Sequence, residues 1–302
     1  MVLGYVGTHM SDIATPFNAN NTMLAPYSAG PATNWFPVGG AINPNGVGAI
    51  NEYAMIGSGN YNGLQTKLTH QMSNGLMATL AYTWSHTLDN AASTFGGASG
   101  IVVGSNGTPL LHYQYGNSDA DQRQNFTASV IYELPFGRGK MLGHDMSRGL
   151  DAIVGGWQLN NVFVLASGTP IDIKGASATA NGQNGRPDYH GGCSTGVSAF
   201  VWIKCAPGAF TNPAGLVGTL PKNAFPGPGT HTWDMSLSKN VSFTERFKAE
   251  LRAQVYNLTN TPQFQNPDTN YNDTGTNGFG ILTAGRLAPS NRQLELAVRF
   301  SF

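Results

Sequence analysis

The chain has 302 residues, with 16 Lys plus Arg against 16 Asp plus Glu, so its formal net charge is zero. Charged residues are only 11% of the whole, under half the roughly 25% of soluble globular domains, and the balance excludes the strong field that attracts nucleic acid. No run of about eighteen apolar residues occurs, which excludes a helical membrane span but not a sheet that meets lipid at every second residue.

Polarity comes instead from Gly, Asn, Thr and Ser, a composition that suits strands and long connections better than helices. The first segment, Met1-Val2-Leu3-Gly4-Tyr5-Val6-Gly7, lacks the basic and apolar blocks of an export signal and alternates weakly like a strand over residues 2 to 8. An exported protein with this beginning is expected to be a truncated chain or to have a misassigned start. A long polar segment, 9 to 59, leads to a second strand over 61 to 72. Asn74-Gly75 then marks a tight hairpin. In the next strand Leu76, Ala78, Leu80, Tyr82 and Trp84 share one face.

After a polar stretch from 88 to 120, Phe126, Ala128, Val130, Tyr132 and Leu134 form another stripe. The connection 135 to 153 contains Pro135-Phe136-Gly137-Arg138-Gly139-Lys140, and a strand is expected over 154 to 166. The segment 168 to 230 is the longest connection. It holds the two cysteines, Cys193 and Cys205, whose spacing is compatible with a disulfide in an oxidising compartment. Trp233 to Phe243 sets Trp233, Met235, Leu237, Val241 and Phe243 against polar partners, with Lys239 the one charge on the apolar face, placed to snorkel toward a rim.

Thr244-Glu245-Arg246 is a short joint. From Phe247 to Tyr256 the apolar residues Phe247, Ala249, Leu251, Ala253 and Val255 alternate with Lys248, Glu250, Arg252, Gln254 and Tyr256. A last polar segment, 259 to 290, precedes the cleanest signal in the chain. There Leu294, Leu296, Val298, Phe300 and Phe302 oppose Gln293, Glu295, Ala297, Arg299 and Ser301. Ten residues at period two are about what a tilted strand needs to cross a bilayer.

Connection lengths alternate between short and long, the pattern of a barrel with tight periplasmic turns and long outer loops. Placing Asn74-Gly75 and Thr244 to Arg246 on the periplasmic side sends all four long segments outward and leaves Phe302 in the periplasm. The fold expected is all-β: an antiparallel transmembrane β-barrel segment with about eight strands and long outer loops. Tyr82, Trp84, Tyr132, Trp157 and Trp233 fall near strand ends, where a ring can lie at headgroup level with its polar tip wet. Lys248, Glu250, Arg252, Glu295 and Arg299 would line a wet lumen or face a plug, whereas a soluble sandwich has no place for a charged face beside a fully apolar one.

Many stretches, in order along nearly the whole chain, resemble the C-terminal barrel region of the Oar-like TonB-dependent receptors. They are Asn60-Tyr61-Asn62-Gly63-Leu64-Gln65, Tyr82-Thr83-Trp84-Ser85-His86-Thr87-Leu88-Asp89, Asp121-Gln122-Arg123-Gln124-Asn125-Phe126, and Tyr132 through Lys140. Gly155-Gly156-Trp157-Gln158-Leu159, Ser167-Gly168-Thr169-Pro170, Trp233 through Asn240, Tyr256 through Phe264 and Phe279-Gly280 to Phe302 complete the set. The resemblance implies that residues 1–302 are the C-terminal part of one barrel domain of about twenty-two strands, with the plug and signal peptide absent from this sequence. Its implied partners are outer-membrane lipid, the barrel-assembly machinery reading a signal at Phe300 and Phe302, and the TonB complex through the missing N-terminal parts. Nucleic acid is not among them.

Motifs for other chemistry are weak. His9, His70, His86, His112, His144, His190 and His231 lack the close pairing of a zinc site. Asp268-Thr269-Asn270-Tyr271-Asn272-Asp273 starts like a calcium loop, but Asp273 stands where glycine is needed and Phe279 where glutamate is needed. Gly137-Arg138-Gly139-Lys140 is not a phosphate loop, and no Gly-x-Ser-x-Gly element occurs. The expectation is a non-enzymatic chain without cofactor: an outer-membrane receptor fragment for uptake of an unidentified ligand. A small self-contained pore or adhesin, or a soluble β-rich binding module, are the alternatives.

Overall fold

The computed structural model describes residues 1–18, 51–91, 111–175, 186–198, 200–213, 218–243, 246–282 and 291–302, with backbone only for 16–18 and 51–53. Fifteen strands occur among them. In chain order they are β1 (Val2–Asn18), β2 (Asn51–Ser73), β3 (Leu76–Asp89), β4 (Gly116–Asn117), β5 (Gln124–Glu133) and β6 (Trp157–Ala166). Short strands follow: β7 (Pro170–Ile171), β8 (Asp188–Tyr189), β9 (Cys193–Thr195), β10 (Ile203–Cys205), β11 (Phe210–Thr211) and β12 (Phe225–Pro226). The last three are β13 (Thr230–Ser242), β14 (Lys248–Tyr256) and β15 (Gln293–Ser301). Among the described residues there are two helices, α1 (Leu111–Gln114) and α2 (Arg148–Val154).

One sheet, ordered β1-β2-β3-β5-β6-β13-β14-β15 with β4 beside β3, makes a wall in which the eight path strands pair antiparallel. No pairing joins β1 to β15 among the described residues. The registers carry the period-two stripes into rows. Leu76 lies opposite Tyr132, then Leu159, Leu237, Ala253 and Leu296 across six strands. A parallel row runs Leu68, Leu80, Ala128, Phe163 and Trp233. The other face is polar, as in the row Asn160, Ser236, Gln254, Glu295.

The apolar face is bare. Leu294, Leu296, Val298 and Phe300 are between 58% and 74% exposed, although a contiguous apolar surface of this extent is not tolerated in water. The cluster of large buried apolar side chains sits elsewhere, formed by Ile171, Ile173, Ile203, Leu220 and Phe225, all in the connections at one rim. The molecule is thus turned inside out relative to a soluble domain.

Asn74 and Gly75 both adopt positive φ, 50° and 80°, the mirror-image turn that matches strand twist. A Cβ on Gly75 would come within 2.8 Å of the Glu133 carbonyl. The β13–β14 joint closes through Phe243 N–H donating to the Phe247 carbonyl at 3.0 Å; Thr244 and Glu245 lie outside the described residues. These joints share a rim with the 135-to-156 connection and with Ser301. The long connections leave the opposite rim.

Four expectations need correction. The first strand runs to Asn18 and the second starts at Asn51; register shifts between Met10 and Ala14 break the period of two in β1, and the consecutive apolar residues Ala54, Met55 and Ile56 hide it in β2. Residues 154 to 156 do not begin a strand: Ser147 caps α2 by accepting from Leu150 N–H, and β6 starts only at Trp157. Gly156, at φ 72°, makes that switch, since a Cβ there would meet the Asn240 carbonyl at 2.4 Å. The strand expected over Trp233 to Phe243 starts earlier, at Thr230. Finally, the described residues between 168 and 230 form six short strands around a core of their own, where the sequence suggested only a polar connection.

Candidate functional site

At the long-connection rim, three two-stranded ribbons stack into a cap: β7 with β12, β8 with β11, and β9 with β10. Their pairings put Ile171 opposite Phe225, Tyr189 opposite Phe210 and Cys193 opposite Cys205. Phe210 is the hub, with the rings of Tyr189, Phe225, Tyr271 and Phe279 at 5.3, 6.2, 5.6 and 5.7 Å. Cys193 and Cys205 are joined, sulfur to sulfur, at 1.99 Å.

Buried polar groups tie this cap to the wall. Lys222, 7% exposed, donates from Nζ to Asp89 Oδ1 at the end of β3 and to the Ala91 carbonyl at 2.8 Å. Asn223 donates to the Asn117 carbonyl at 2.8 Å and to Asp119 at 2.6 Å, and Asn117 returns a bond to the Asn223 carbonyl. The Arg186 guanidinium lies 3.8 Å over the Tyr113 ring and donates to the Leu220 carbonyl at 2.9 Å. Burial pushes the Tyr113 hydroxyl above its ordinary range, opposed by Arg186. Burial likewise raises the Asp172 carboxyl, with Arg186 and Lys174 pulling the other way. Asp121, 1% exposed, accepts from Thr87 N–H at 2.7 Å and from Arg123 Nε, so the Asp121-Gln122-Arg123 stretch is a clasp on the rim of β3.

A cavity of about 710 Å³ lies where cap meets wall. Tyr82, Phe126, Leu165 and His231 are neighbours in register and form its floor, while Trp202, Phe264 and Leu282 close it from the cap. Among the described residues, no Asp, Glu, Lys or Arg lines it.

The five strand-end aromatics all fall on the apolar face, at two levels. Tyr82, Trp84 and Trp233 stand toward the cap, and Tyr132 and Trp157 toward the short-turn rim. Trp233 donates to Asn161 at 3.0 Å and stacks on Phe163 at 5.0 Å, while Trp157 donates to the Ile153 carbonyl at 3.1 Å. From Tyr82 to Leu76, the level of Tyr132, the strand covers about 20 Å at roughly 3.3 Å per residue. Lys248, Glu250, Arg252, Glu295 and Arg299 share the opposite face. Arg252 pairs with Glu250 at 2.6 Å, and Glu250 lies opposite Arg299. Phe300 stacks on Phe247 at 5.9 Å, and Phe302 is fully exposed.

The histidines are not brought together. His86 meets Asp121, His144 meets Asp145 and His190 meets Thr211; among the described residues no cluster of three His, Cys, Asp or Glu could hold a metal ion. Sequence reading missed Trp202, Lys222, Asn223 and Arg186. They sit in Gly- and Pro-rich connections with no periodicity to mark them.

A family model described as an outer membrane beta barrel domain matches residues 1–295. The crystal structure of the outer membrane transporter YddB from Escherichia coli aligns at a TM-score of 0.44 and 11% identity, covering 99% of this chain and 30% of that one. The chain therefore spans less than a third of that structure's length. No curated protein sequence matches it.

Proposed function

This chain belongs to the outer membrane beta barrel domain family, and from that premise we propose that it forms the C-terminal wall and outer cap of a TonB-dependent receptor taking up a ligand. It resides in the outer membrane as antiparallel β structure. The observation that carries the reading is the inversion of packing: lipid solvates the bare apolar face of β3 to β15, and the core that remains is placed in the outer connections, where a ligand is met. The ordered resemblance to Oar-like receptors supports TonB dependence. The polar face bearing Lys248, Glu250, Arg252, Glu295 and Arg299 is where a plug would sit.

In this reading the strand-end aromatics anchor the wall at both headgroup levels, Phe300 and Phe302 address the assembly machinery, and no residue has a catalytic role. The full-length protein, purified and reconstituted in planar bilayers, is expected to be closed to ions and to bind the isolated periplasmic domain of TonB. Steady channels formed by residues 1–302 alone would overturn the reading in favour of a self-contained pore.

A further inference from the structure

We propose that the rim cavity seats an acyl chain of an outer-leaflet lipid, so that the cap is docked onto the membrane as well as onto the wall. The inference rests on the outer-membrane location and not on uptake. Its basis is continuity. Tyr82, Phe126, Leu165 and His231 form the row immediately above Leu80, Ala128, Phe163 and Trp233, on the same face. The cavity floor is therefore an upward extension of the surface that meets hydrocarbon, and a chain lying on that surface enters the cavity without crossing water.

The opposite wall is built in advance. Trp202 donates from its indole N–H to the Pro226 carbonyl at 2.8 Å, and its backbone N–H donates to the Gly280 carbonyl at 2.8 Å. Trp202 also packs against the buried cluster of Ile171, Ile173, Ile203, Leu220 and Phe225. One indole thus joins the cap core to the cavity. With Phe264 it offers apolar surface that the cap's own core leaves partly uncovered, beside the buried Leu282.

The lining also defines what is bound. A volume of about 710 Å³ falls within the roughly 300–1,000 Å³ of small-molecule sites. Beside the imidazole of His231, the polar side chains of its lining, Gln124, Ser167, Ser198, Thr230 and Thr261, are uncharged amides and hydroxyls. A phosphate needs Arg, Lys or a cluster of backbone donors, and none is supplied by the lining side chains. The site takes the tail of a lipid and leaves a charged headgroup to the solvent.

Fluorescence of Trp202 tests this. The full-length protein and its Trp202→Phe variant, which retains a ring and is checked for native folding by heat-modifiable mobility, are reconstituted in vesicles of phospholipid brominated midway along the acyl chains. The emission lost on substitution isolates Trp202 from the other tryptophans. That difference emission is expected to be largely quenched by the bromines and little affected by aqueous iodide. Quenching by iodide without quenching by bromolipid would overturn the proposal, placing Trp202 in water. Protection from both would overturn it too, placing protein in the cavity. Retained bromolipid quenching of the remaining tryptophans in either case would leave the membrane-spanning wall intact and sink this inference alone.

Discussion

Lys239 reaches along the apolar face to lie 5.0 Å over the ring of Trp157, and its Nζ donates to the Gly155 carbonyl at the end of α2. A cation on a lipid-facing stripe is costly unless it escapes toward a rim, and here the escape is completed by a carbonyl and a ring. Lys239→Met keeps the stem and removes the charge. It is expected to cost about 1.5–3 kcal/mol, the range of a hydrogen bond to a charged group. Urea unfolding of the full-length protein in micelles should show this as a lowered midpoint with an unchanged slope. A midpoint equal to the wild type would show that the contact stabilises nothing.

The Cys193–Cys205 bridge closes a loop of separation 12, for which the chain-entropy relation gives roughly 3 kcal/mol. Unreduced, exported protein should resist maleimide at both positions. After reduction, protease cleavage within the cap should accelerate while the wall stays intact. Ready labelling of both cysteines before reduction would remove the bridge from the account.

Deleting Phe302 takes away one fully exposed rim side chain, and ordinary loss of burial in lipid amounts to only on the order of 1.5–3 kcal/mol. A residue read during assembly should matter more. Membrane fractionation and surface proteolysis of the full-length deletion variant are expected to show a sharp fall in insertion, with chain left in the periplasm or degraded. Wild-type insertion would reduce Phe302 to packing.

Asp172 gives the cap a pH dependence of definite sign. Burial raises its carboxyl above the ordinary 3.8, reinforced by Asp119 and opposed by Arg186 and Lys174. The folded cap therefore holds this proton more tightly than the unfolded chain. The group's contribution is most favourable below about 3.8 and declines as pH rises through the folded value. Amide-exchange protection of Ile171 to Ile173, corrected for intrinsic rates, should fall with rising pH in the wild type and less steeply in Asp172→Asn. Parallel trends in the two proteins would exclude Asp172 as the source.

The wall was legible because lipid enforces a strict period of two, so Leu294 to Phe302 and Phe247 to Val255 announce both strand and face. The turn at Asn74-Gly75 was legible for its φ values alone. The cap was not. Ile171, Ile173, Ile203, Leu220 and Phe225 are dispersed over a segment dominated by small and polar residues, and their meeting depends on three ribbons whose strands are two or three residues long. The strand-end tryptophans could be placed by counting from a strand; Trp202 belongs to no long strand, and its role emerges only from the folded cap.

At about 3.3 Å per residue, the 23 residues of β2 reach about 75 Å, and even steeply tilted they outrun the ~25 Å apolar band by on the order of 30 Å. One strand thus lives in two solvents. Around Leu68 its ladder is held where no water competes for the backbone, while the outer portion paired with Ala14 and Thr15 must hold against hydration. The pairing with β1 shifts register between Met10 and Ala14, opposite Gly59 to Met55, which lets the hydrated end open and re-form while the stretch in lipid stays paired.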